Sequence, residues 1–322
     1  MRILIVTNLY PTNKKPQEGM FVYEQVESLR NHYVEELDID VYLVNGSESK
    51  INYIKALFSL PFIVKKRKYD LIHVHYGLTL FSVLLVSVPV IVTWHGSDLL
   101  TNPAKFVCNI LRYKACRSIV VSSNLQEALG YGTVIPCGID VKKFLMSDDN
   151  VKSHHNGWEK KSDKKLQVLF PANPLDKVKN YPLFHNVCME LKKMGINVTE
   201  VYLRDIPREK VPSIFWNCAV MVLTSFSEGS PTVLKEAIAA KLPFVSVDVG
   251  DVQEWCDLIS FGLVVKNRNP RIIAEKVVYL LSKIDDRRTL DNSQAVGQMD
   301  IANIARKVKS VYENVIYGEA KS

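Results

Sequence analysis

The chain has 322 residues, of which 47% are hydrophobic and 23% charged, and its net charge is +7. This length predicts about two domains of roughly 100–200 residues each, and the apolar fraction excludes an intrinsically disordered chain. The modest positive charge suits a partner with phosphate groups or an anionic membrane surface. No basic helix interleaved with aromatic residues and no zinc-finger spacing indicates nucleic-acid binding.

The cysteines and the apolar runs favour a cytoplasmic protein. None of the six cysteines forms a C-x-x-C pair, which is typical of reduced thiols and not of a metal site. The apolar run at Met1–Thr7 is short for a signal peptide. The most apolar stretch, Leu78 to Val92, is shorter than the roughly 18 residues of a membrane span and is interrupted by Pro89.

Short apolar runs typical of buried strands alternate with helical patterns in the first part of the chain. The predicted strands are Ile3–Val6, Asp38–Val44, Leu71–His75, Val90–Trp94 and Ser118–Ser122. Helices are predicted at Gly19–Arg30 and Ile51–Lys66. This alternation predicts parallel strands joined by crossover helices.

A polar, charged stretch between residues 147 and 165 is the predicted linker, after which the alternation restarts. Strands are predicted at Gln167–Pro171, Val198–Leu203, Val220–Thr224, Phe244–Val247 and Leu263–Val265, and helices at Pro182–Met194, Pro231–Ala240 and across 271–317. The predicted fold class is therefore α/β, with two Rossmann-like α/β/α domains that face a deep interdomain cleft. Ligands of such sheets bind at the carboxyl ends of the strands.

The segment Ser227–Ala237 carries the most specific chemistry. It follows a predicted strand and opens a helix, so the amides from Gly229 to Val233 would point out of a helix N-terminus and form an anion site. Glu228 and Glu236 are eight residues apart, a little over two helical turns, and carboxylates suit the vicinal hydroxyls of a sugar or ribose. An ordinary helix start with a surface glutamate remains the alternative at this point.

The pattern Glu228…Glu236 resembles the E-x7-E motif of retaining GT-B glycosyltransferases of family 4. The similarity continues through five further segments, in order along the chain: the turn from Asn8 to Gly19, Ile72–His75, Thr93–Asp98, Ile135–Asp140 and Asp248–Val252. It implies domains at 1–145 (acceptor side) and 166–300 (nucleotide-sugar side), a linker at 146–165, and a C-terminal helix at 301–322 that packs back toward the first domain.

The resemblance also implies roles for individual residues. Glu228 would hydrogen-bond the donor sugar and Glu236 the ribose. His95 would line the cleft near sugar and acceptor, and Gly19 would let the backbone approach the phosphates. The remaining donor contacts would come from the turn before the helix, which comprises Gly229, Ser230, Pro231, Thr232 and Val233.

The phosphate ligands depart from the family pattern. Family members usually have an arginine after the first strand of the second domain, whereas Asn173 stands at that position here. Lys179 matches the family's lysine, and Lys177 adds a second cation. Lysine is a point charge without arginine's bidentate fork, so the phosphate geometry is expected to differ. The implied catalytic residues are Glu228, His95 and Lys179.

The implied reaction is retaining, metal-independent transfer of a sugar from a UDP- or GDP-linked donor to a glycan or lipid-linked acceptor, in cell-surface polysaccharide biosynthesis. No other cofactor is implied. The leaving phosphate itself would take the acceptor's proton. The alternatives are a donor-binding but catalytically degenerate relative, and a GT-B-type epimerase or phosphorylase.

Three other patterns need an interpretation. Ile51–Lys68 carries aromatic and aliphatic residues that run into four consecutive cations, which suits either a helix packed on the sheet or peripheral binding to the inner face of the membrane. Asp38-Ile39-Asp40 matches a metal-binding D-x-D motif but lies in an alternating strand, which favours a structural role. His73 and His75 are expected to point to opposite faces of their strand and to share no site.

Overall fold

The computed structural model describes residues 1–100, 104–145 and 165–318. These residues form two compact units. The first comprises Met1–Gly138 together with the chain from Asp300 onward, and the second comprises Ile139–Met299. The predicted linker lies, up to residue 164, outside the described residues.

The first unit is built on a six-stranded parallel sheet with the strand order β2-β1-β3-β4-β5-β6. Its strands are β1 (Arg2–Thr7), β2 (Asp38–Leu43), β3 (Leu71–His75), β4 (Val90–Trp94), β5 (Arg117–Val120) and β6 (Thr133–Val134). Its helices are α1 (Met20–His32), α2 (Ile51–Arg67), α3 (Ser97–Leu100), α4 (Ala104–Leu111) and α5 (Ser123–Leu129), with short 3₁₀ turns at Gly77–Val83 and Arg112–Lys114.

Successive side chains along these strands point to opposite faces of the sheet and pack in two separate cores, one on each face. On one face Val74 and Val92 pack in a cluster with buried residues of α2 and α4, such as Leu60 and Cys108. The other face carries a second cluster that includes Ile5 and α1. Helices on both faces explain why the strands read as continuous apolar runs.

The second unit is built on a five-stranded parallel sheet with the order β11-β10-β9-β7-β8. Its strands are β7 (Leu166–Phe170), β8 (Val198–Tyr202), β9 (Val220–Leu223), β10 (Phe244–Val247) and β11 (Gly262–Val265). Its helices are α6 (Val141–Phe144), α7 (Tyr181–Lys193), α8 (Val211–Asn217), α9 (Thr232–Ala239), α10 (Val252–Cys256), α11 (Pro270–Leu281) and α12 (Ser293–Met299), with 3₁₀ turns at Lys177–Lys179, Arg208–Lys210 and Arg287–Thr289.

The last helix, α13 (Ile301–Tyr317), belongs to the first unit. Asp300 caps its start, since the Asp300 Oδ1 accepts from the amide of Ala302 at 2.9 Å. Ile304, Val308 and Tyr312 pack with α1 in the core cluster on that side of the sheet. The chain thus leaves the second unit at residue 299 and ends on the first.

Several local boundaries differ from the sequence expectation. Val141 and Phe144 pack in the second unit's core, although the first domain was expected to run to residue 145. The strand β6 was missed because it has only two residues, too few to show a period. The helical stretch 271–317 is broken into three helices and a 3₁₀ turn.

No helix in the described ranges is both long and apolar enough to cross a bilayer.

Candidate active site

In the second unit, the ends of two neighbouring strands are tied together by hydrogen bonds. β7 and β9 are parallel neighbours, so the segments that follow them meet at one edge of the sheet. The Thr224 hydroxyl, just after β9, donates to the carbonyls of Lys179 and Asn180 at 3.1 Å each. The amide of Phe226 donates to the Val178 carbonyl at 2.8 Å. These bonds fix the 3₁₀ turn Lys177–Lys179 against the loop that leads to α9.

This placement brings two of the sequence-predicted catalytic residues into contact. The Lys179 Nζ lies 2.7 Å from the Glu228 Oε1, and the Glu228 side chain is only 10% exposed. Asn180, which follows Lys179, has a φ of 56°, a left-handed conformation that asparagine tolerates better than most residues. The result is a carboxylate with a cation beside it, directly before the N-terminus of α9.

Glu236, the second glutamate of the motif, has a cationic partner that sequence reasoning missed. The Arg208 Nη2 lies 2.6 Å from the Glu236 Oε1, and Glu236 is almost fully buried. Arg208 starts the 3₁₀ turn after β8, and its guanidinium lies over the Phe144 ring. The sequence analysis gave Arg208 no role, because nothing in its neighbours along the chain links it to a glutamate 28 positions away.

A buried ionic cluster anchors the turn between these two glutamates. Lys235 is completely buried and lies 3.6 Å from the Asp251 Oδ2, and its Nζ also donates to the Ser230 hydroxyl. Asp251 accepts from the Ser230 hydroxyl at 2.6 Å and from the Trp255 Nε1 at 2.8 Å. Two charges at this depth are tolerated only when they are paired and hydrogen-bonded, so the cluster ties Ser230 to the loop after β10.

The remaining predicted donor residues fall into two groups. Pro231 is the buried N-cap of α9, and Thr232 and Val233 are its half-buried first residues, so the turn has the helix-N-terminal position expected for an anion site. Asn173 and Lys177 lie on the segment after β7. The Asn173 Oδ1 accepts from the Leu175 amide at 3.0 Å, a side-chain bond that an arginine could not make because it has no acceptor. Lys177 is exposed.

The first unit holds a recess of about 400 Å³ at the carboxyl ends of β1, β3 and β4. His95 is one of the residues that line it. Gly19 has a φ of 72°, and a Cβ there would lie 2.4 Å from the Leu9 backbone, so only glycine fits this turn. The lining residues are Thr7, Asn8, Leu9, Phe21, Val22, His75, Tyr76, His95 and Ser97.

The expectation that His73 and His75 point to opposite faces is wrong. Residues two apart in a strand share a face, and the two rings lie 4.4 Å apart, centroid to centroid. His75 Nδ1 is 3.0 Å from His95 Nε2. His73 is held by the Tyr312 hydroxyl and by the Thr93 hydroxyl, at 2.7 Å each. The three imidazoles therefore form one group, in which His73 and His75 are buried and His95 is half-buried, and His75 and His95 line the recess.

Burial keeps these imidazoles neutral. Desolvation lowers the pKa of both His73 and His95 to about 3, and that of His75 well below its usual value. A neutral imidazole has one donor and one acceptor nitrogen, so His95 can bind a hydroxyl at neutral pH but carries no charge. Among the described residues, no group of three or more His, Cys, Asp or Glu side chains is arranged to hold a metal ion.

Two neighbours fix the position of His95. Asp98 is fully buried and accepts from the amides of Gly77 and Gly96 at 2.9 Å and of His95 at 3.2 Å. This carboxylate thus holds the turn after β4 in place. The Cys137 thiol lies 4.0 Å from the His95 Nδ1. The structural role of the D-x-D motif is supported, since Asp40 binds Arg67 and the Tyr69 hydroxyl.

Comparisons with known proteins match both units. The model of the family described as Glycosyltransferase Family 4 matches residues 19–143, and that of Glycosyl transferases group 1 matches residues 185–283. The computed structure has a TM-score of 0.74 with a sucrose-phosphate synthase of Thermosynechococcus elongatus, at 14% identity, covering 99% of this chain and 100% of that one. It has a TM-score of 0.69 with HepE of Anabaena in complex with UDP, also at 14% identity, covering 98% and 100%.

Relatives in sequence are glycosyltransferases as well. A candidate teichuronic acid biosynthesis glycosyltransferase of Bacillus subtilis, TuaC, is 23% identical, covering 86% of this chain and 88% of its own. An Escherichia coli UDP-Gal:alpha-D-GlcNAc-diphosphoundecaprenol alpha-1,3-galactosyltransferase is 24% identical, covering 83% and 81%.

Two Rossmann-like units, each with a polar site at the carboxyl edge of a parallel sheet, define the GT-B fold, which the similar solved structures share. The family models cover a large part of both units, and the names of the two sequence relatives state a glycosyltransferase or galactosyltransferase activity. Together these matches identify the chain as a group 1 GT-B glycosyltransferase.

Proposed function

We propose that this glycosyltransferase transfers a sugar from a nucleotide-sugar donor to a glycan or lipid-linked acceptor, with retention of the anomeric configuration. The observation that carries the proposal is the pairing of Glu228 with Lys179 and of Glu236 with Arg208 on either side of one helix N-terminus. A nucleotide-sugar presents hydroxyls at both ends and two phosphates between them. The arrangement matches this order, with a carboxylate at each end and cations and backbone amides between.

In this proposal the two members of the Glu228–Lys179 pair have different roles. Glu228 accepts from the hydroxyls of the donor sugar, while Lys179 beside it faces the phosphate that departs. Cleavage of the sugar–phosphate bond develops negative charge on that phosphate. A fixed cation and the amides at the start of α9 stabilise this charge without reorganisation. The leaving phosphate accepts the acceptor's proton, so the reaction needs no protein nucleophile and, in this proposal, no metal ion.

His95 contributes hydrogen bonding in this proposal. Its pKa of about 3 keeps the imidazole neutral at physiological pH. The Nε2 atom is engaged by His75. Among the residues that the structure describes, the Nδ1 atom has only the long contact to the Cys137 sulfur, which is a weak hydrogen-bonding group. We therefore assign the Nδ1 atom to a sugar or acceptor hydroxyl.

The similar proteins suggest which donor and acceptor to test first. HepE of Anabaena has been solved with UDP and with UDP-glucose, and the E. coli relative uses UDP-Gal, so a UDP-sugar is proposed ahead of a GDP-sugar. The names of the relatives from B. subtilis and E. coli point to teichuronic acid and to a diphosphoundecaprenol acceptor. These names support a place in cell-surface polysaccharide biosynthesis.

The test is calorimetric titration of the purified chain with UDP, GDP, ADP and their sugars in the presence of EDTA. Glu236→Gln should weaken nucleotide binding by at least about tenfold, because one ribose hydrogen bond to a buried charged group is lost. Glu275→Gln is the matched control, since Glu275 is an exposed glutamate on α11 of the same unit. Equal weakening in both variants, or no binding of any nucleotide, would overturn the donor site.

Turnover then separates the alternatives. Incubation of the preferred donor with lipid-linked and soluble glycan acceptors should yield a product whose anomeric configuration, measured by NMR, equals that of the donor. An inverted product would contradict the retaining mechanism. Conversion of the nucleotide-sugar alone, or with inorganic phosphate, would indicate an epimerase or phosphorylase. Binding without any turnover would indicate a degenerate relative, with Asn173 as the first residue to convert to arginine.

A further inference from the structure

The exposed apolar side chains are concentrated on one part of the first unit. Of the 21 large apolar side chains that are exposed among the described residues, ten lie on α2, on Leu84 and Leu85, or on α4 with the 3₁₀ turn after it. These segments are neighbours, because α2 and α4 both contact the 3₁₀ turn Gly77–Val83, from which Leu84 continues. Contiguous exposed apolar surface of this kind marks an interaction site.

Helix α2 is apolar on two opposite sides. One side is buried against the sheet through Ala56, Leu60 and Val64. The opposite side faces solvent, and its spacing of three or four residues places the side chains in one stripe. This exposed stripe consists of Ile51, Ile54, Phe58 and Phe62, with Phe62 77% exposed. A helix that only covers a sheet would carry polar residues there.

Helix α4 repeats the arrangement beside it. Cys108 is buried, while Phe106 and Ile110 on the other side of the helix are 71% and 60% exposed. Tyr113, in the following 3₁₀ turn, is 80% exposed. The buried sides of α2 and α4 join the same core cluster on one face of the sheet. Their outward sides therefore face away from the sheet in the same general direction.

The charges on these segments are all positive. Residues 51–68 and 104–117 contain nine lysines and arginines and no aspartate or glutamate. Lys55, Lys65 and Lys66 are exposed and flank the phenylalanines on α2. Arg67 differs, since it pairs with Asp40 of β2. Cations around an apolar stripe complement a surface whose interior is apolar and whose boundary carries negative charge.

We propose that this surface, formed by the exposed side chains of α2, Leu84, Leu85 and α4 and named here the apolar–basic face, docks on an anionic lipid bilayer. The phenylalanines and isoleucines enter the boundary between headgroups and acyl chains, and the lysines lie at the lipid phosphates. Docking holds the first unit at the surface where a lipid-linked acceptor would be found. The face does not involve the donor residues, so this inference goes beyond the proposed function and is tested separately from it.

The test is co-sedimentation of the full chain, without nucleotide, with vesicles of phosphatidylcholine alone or mixed with phosphatidylglycerol. Binding to the mixed vesicles is expected to be at least about tenfold stronger, because several lysines contribute. Phe58→Ser/Phe62→Ser should lose about tenfold or more through the lost apolar burial. Lys65→Gln/Lys66→Gln should reduce the preference for anionic lipid and the sensitivity to salt, because two of the cations are removed.

Tyr317→Ser is the matched control, because Tyr317 is 73% exposed and lies on α13, which packs on the other face of the sheet. It should bind vesicles like the wild type, and all variants should keep the wild-type Tm and UDP binding, since the replaced side chains are exposed. Equal binding by Phe58→Ser/Phe62→Ser would overturn the proposal. Absence of vesicle binding would also overturn it, and sedimentation velocity would then show whether the face joins two copies of this chain instead.

Discussion

The buried cluster of Lys235 and Asp251 gives the sharpest prediction about stability. We consider Lys235→Met, in which the unbranched side chain keeps nearly the same volume but loses the charge and the hydrogen bond to the Ser230 hydroxyl. The Asp251 carboxylate then keeps the bonds from the Ser230 hydroxyl and the Trp255 indole but loses its counter-charge at 3% exposure.

The expected loss follows from the depth of the pair. Removing one partner of a buried ion pair leaves an uncompensated charge and lowers the free energy of unfolding by about 3–5 kcal/mol. For a unit of this size each kcal/mol corresponds to about 2–4 °C, so Tm should fall by roughly 6–20 °C. Lys193→Met, which breaks the exposed pair with Glu190, should change the free energy by about 0–1 kcal/mol.

A double variant tests the reasoning directly. Lys235→Met/Asp251→Asn removes both charges and leaves a neutral amide with the same hydrogen-bonding neighbours, so it should recover more than half of the loss. The assay is urea unfolding followed by circular dichroism, with the free energies compared as a double-mutant cycle. If Lys235→Met is within about 1 kcal/mol of wild type, or the two substitutions are simply additive, the pair does not stabilise the turn at Ser230 as described.

Three further predictions concern stability at other positions. Arg287 donates to five backbone carbonyls around the ends of α8 and α9, so Arg287→Met should lower the free energy of unfolding by about 3–5 kcal/mol. The control is Arg288→Met, which breaks the exposed pair with Asp286 and should change this free energy by less than about 1 kcal/mol. His73 has a pKa of about 3 in the folded state and near 6.5 in the unfolded state. The folded state therefore binds fewer protons between these two values, so the free energy of unfolding falls as the pH is lowered from about 6.5 to 3. In unfolding titrations, His73→Gln should reduce the slope of the free energy of unfolding against pH by about 1.4 kcal/mol per pH unit. Gly19→Ala should lower Tm more than Gly130→Ala, because both residues have positive φ but only at Gly19 would the Cβ meet backbone atoms; equal shifts in differential scanning calorimetry would contradict this.

The fold could be predicted from the sequence because its signals are local. Ten of the eleven strands in the described residues appear as apolar runs, since a strand covered by helices on both faces has no polar side. The two-residue β6 gives no such signal. The division at residue 138 was also missed, because Val141 and Phe144 look equally apolar whichever unit they join. Only the core they enter decides the boundary.

The two glutamates of the E-x7-E motif and the glycine turn were visible in the sequence, because each lies on one continuous segment whose spacing sets its geometry. What only the tertiary structure decided is which residues face them. Lys179 reaches Glu228 across 49 positions and Arg208 reaches Glu236 across 28, and the histidines of β3 and the turn after β4 meet because those strands are neighbours. Such pairings depend on the order of the strands in the sheet and on the hydrogen bonds that hold each loop in place. Short-range sequence patterns do not encode them, because the contacts form between segments that are distant along the chain.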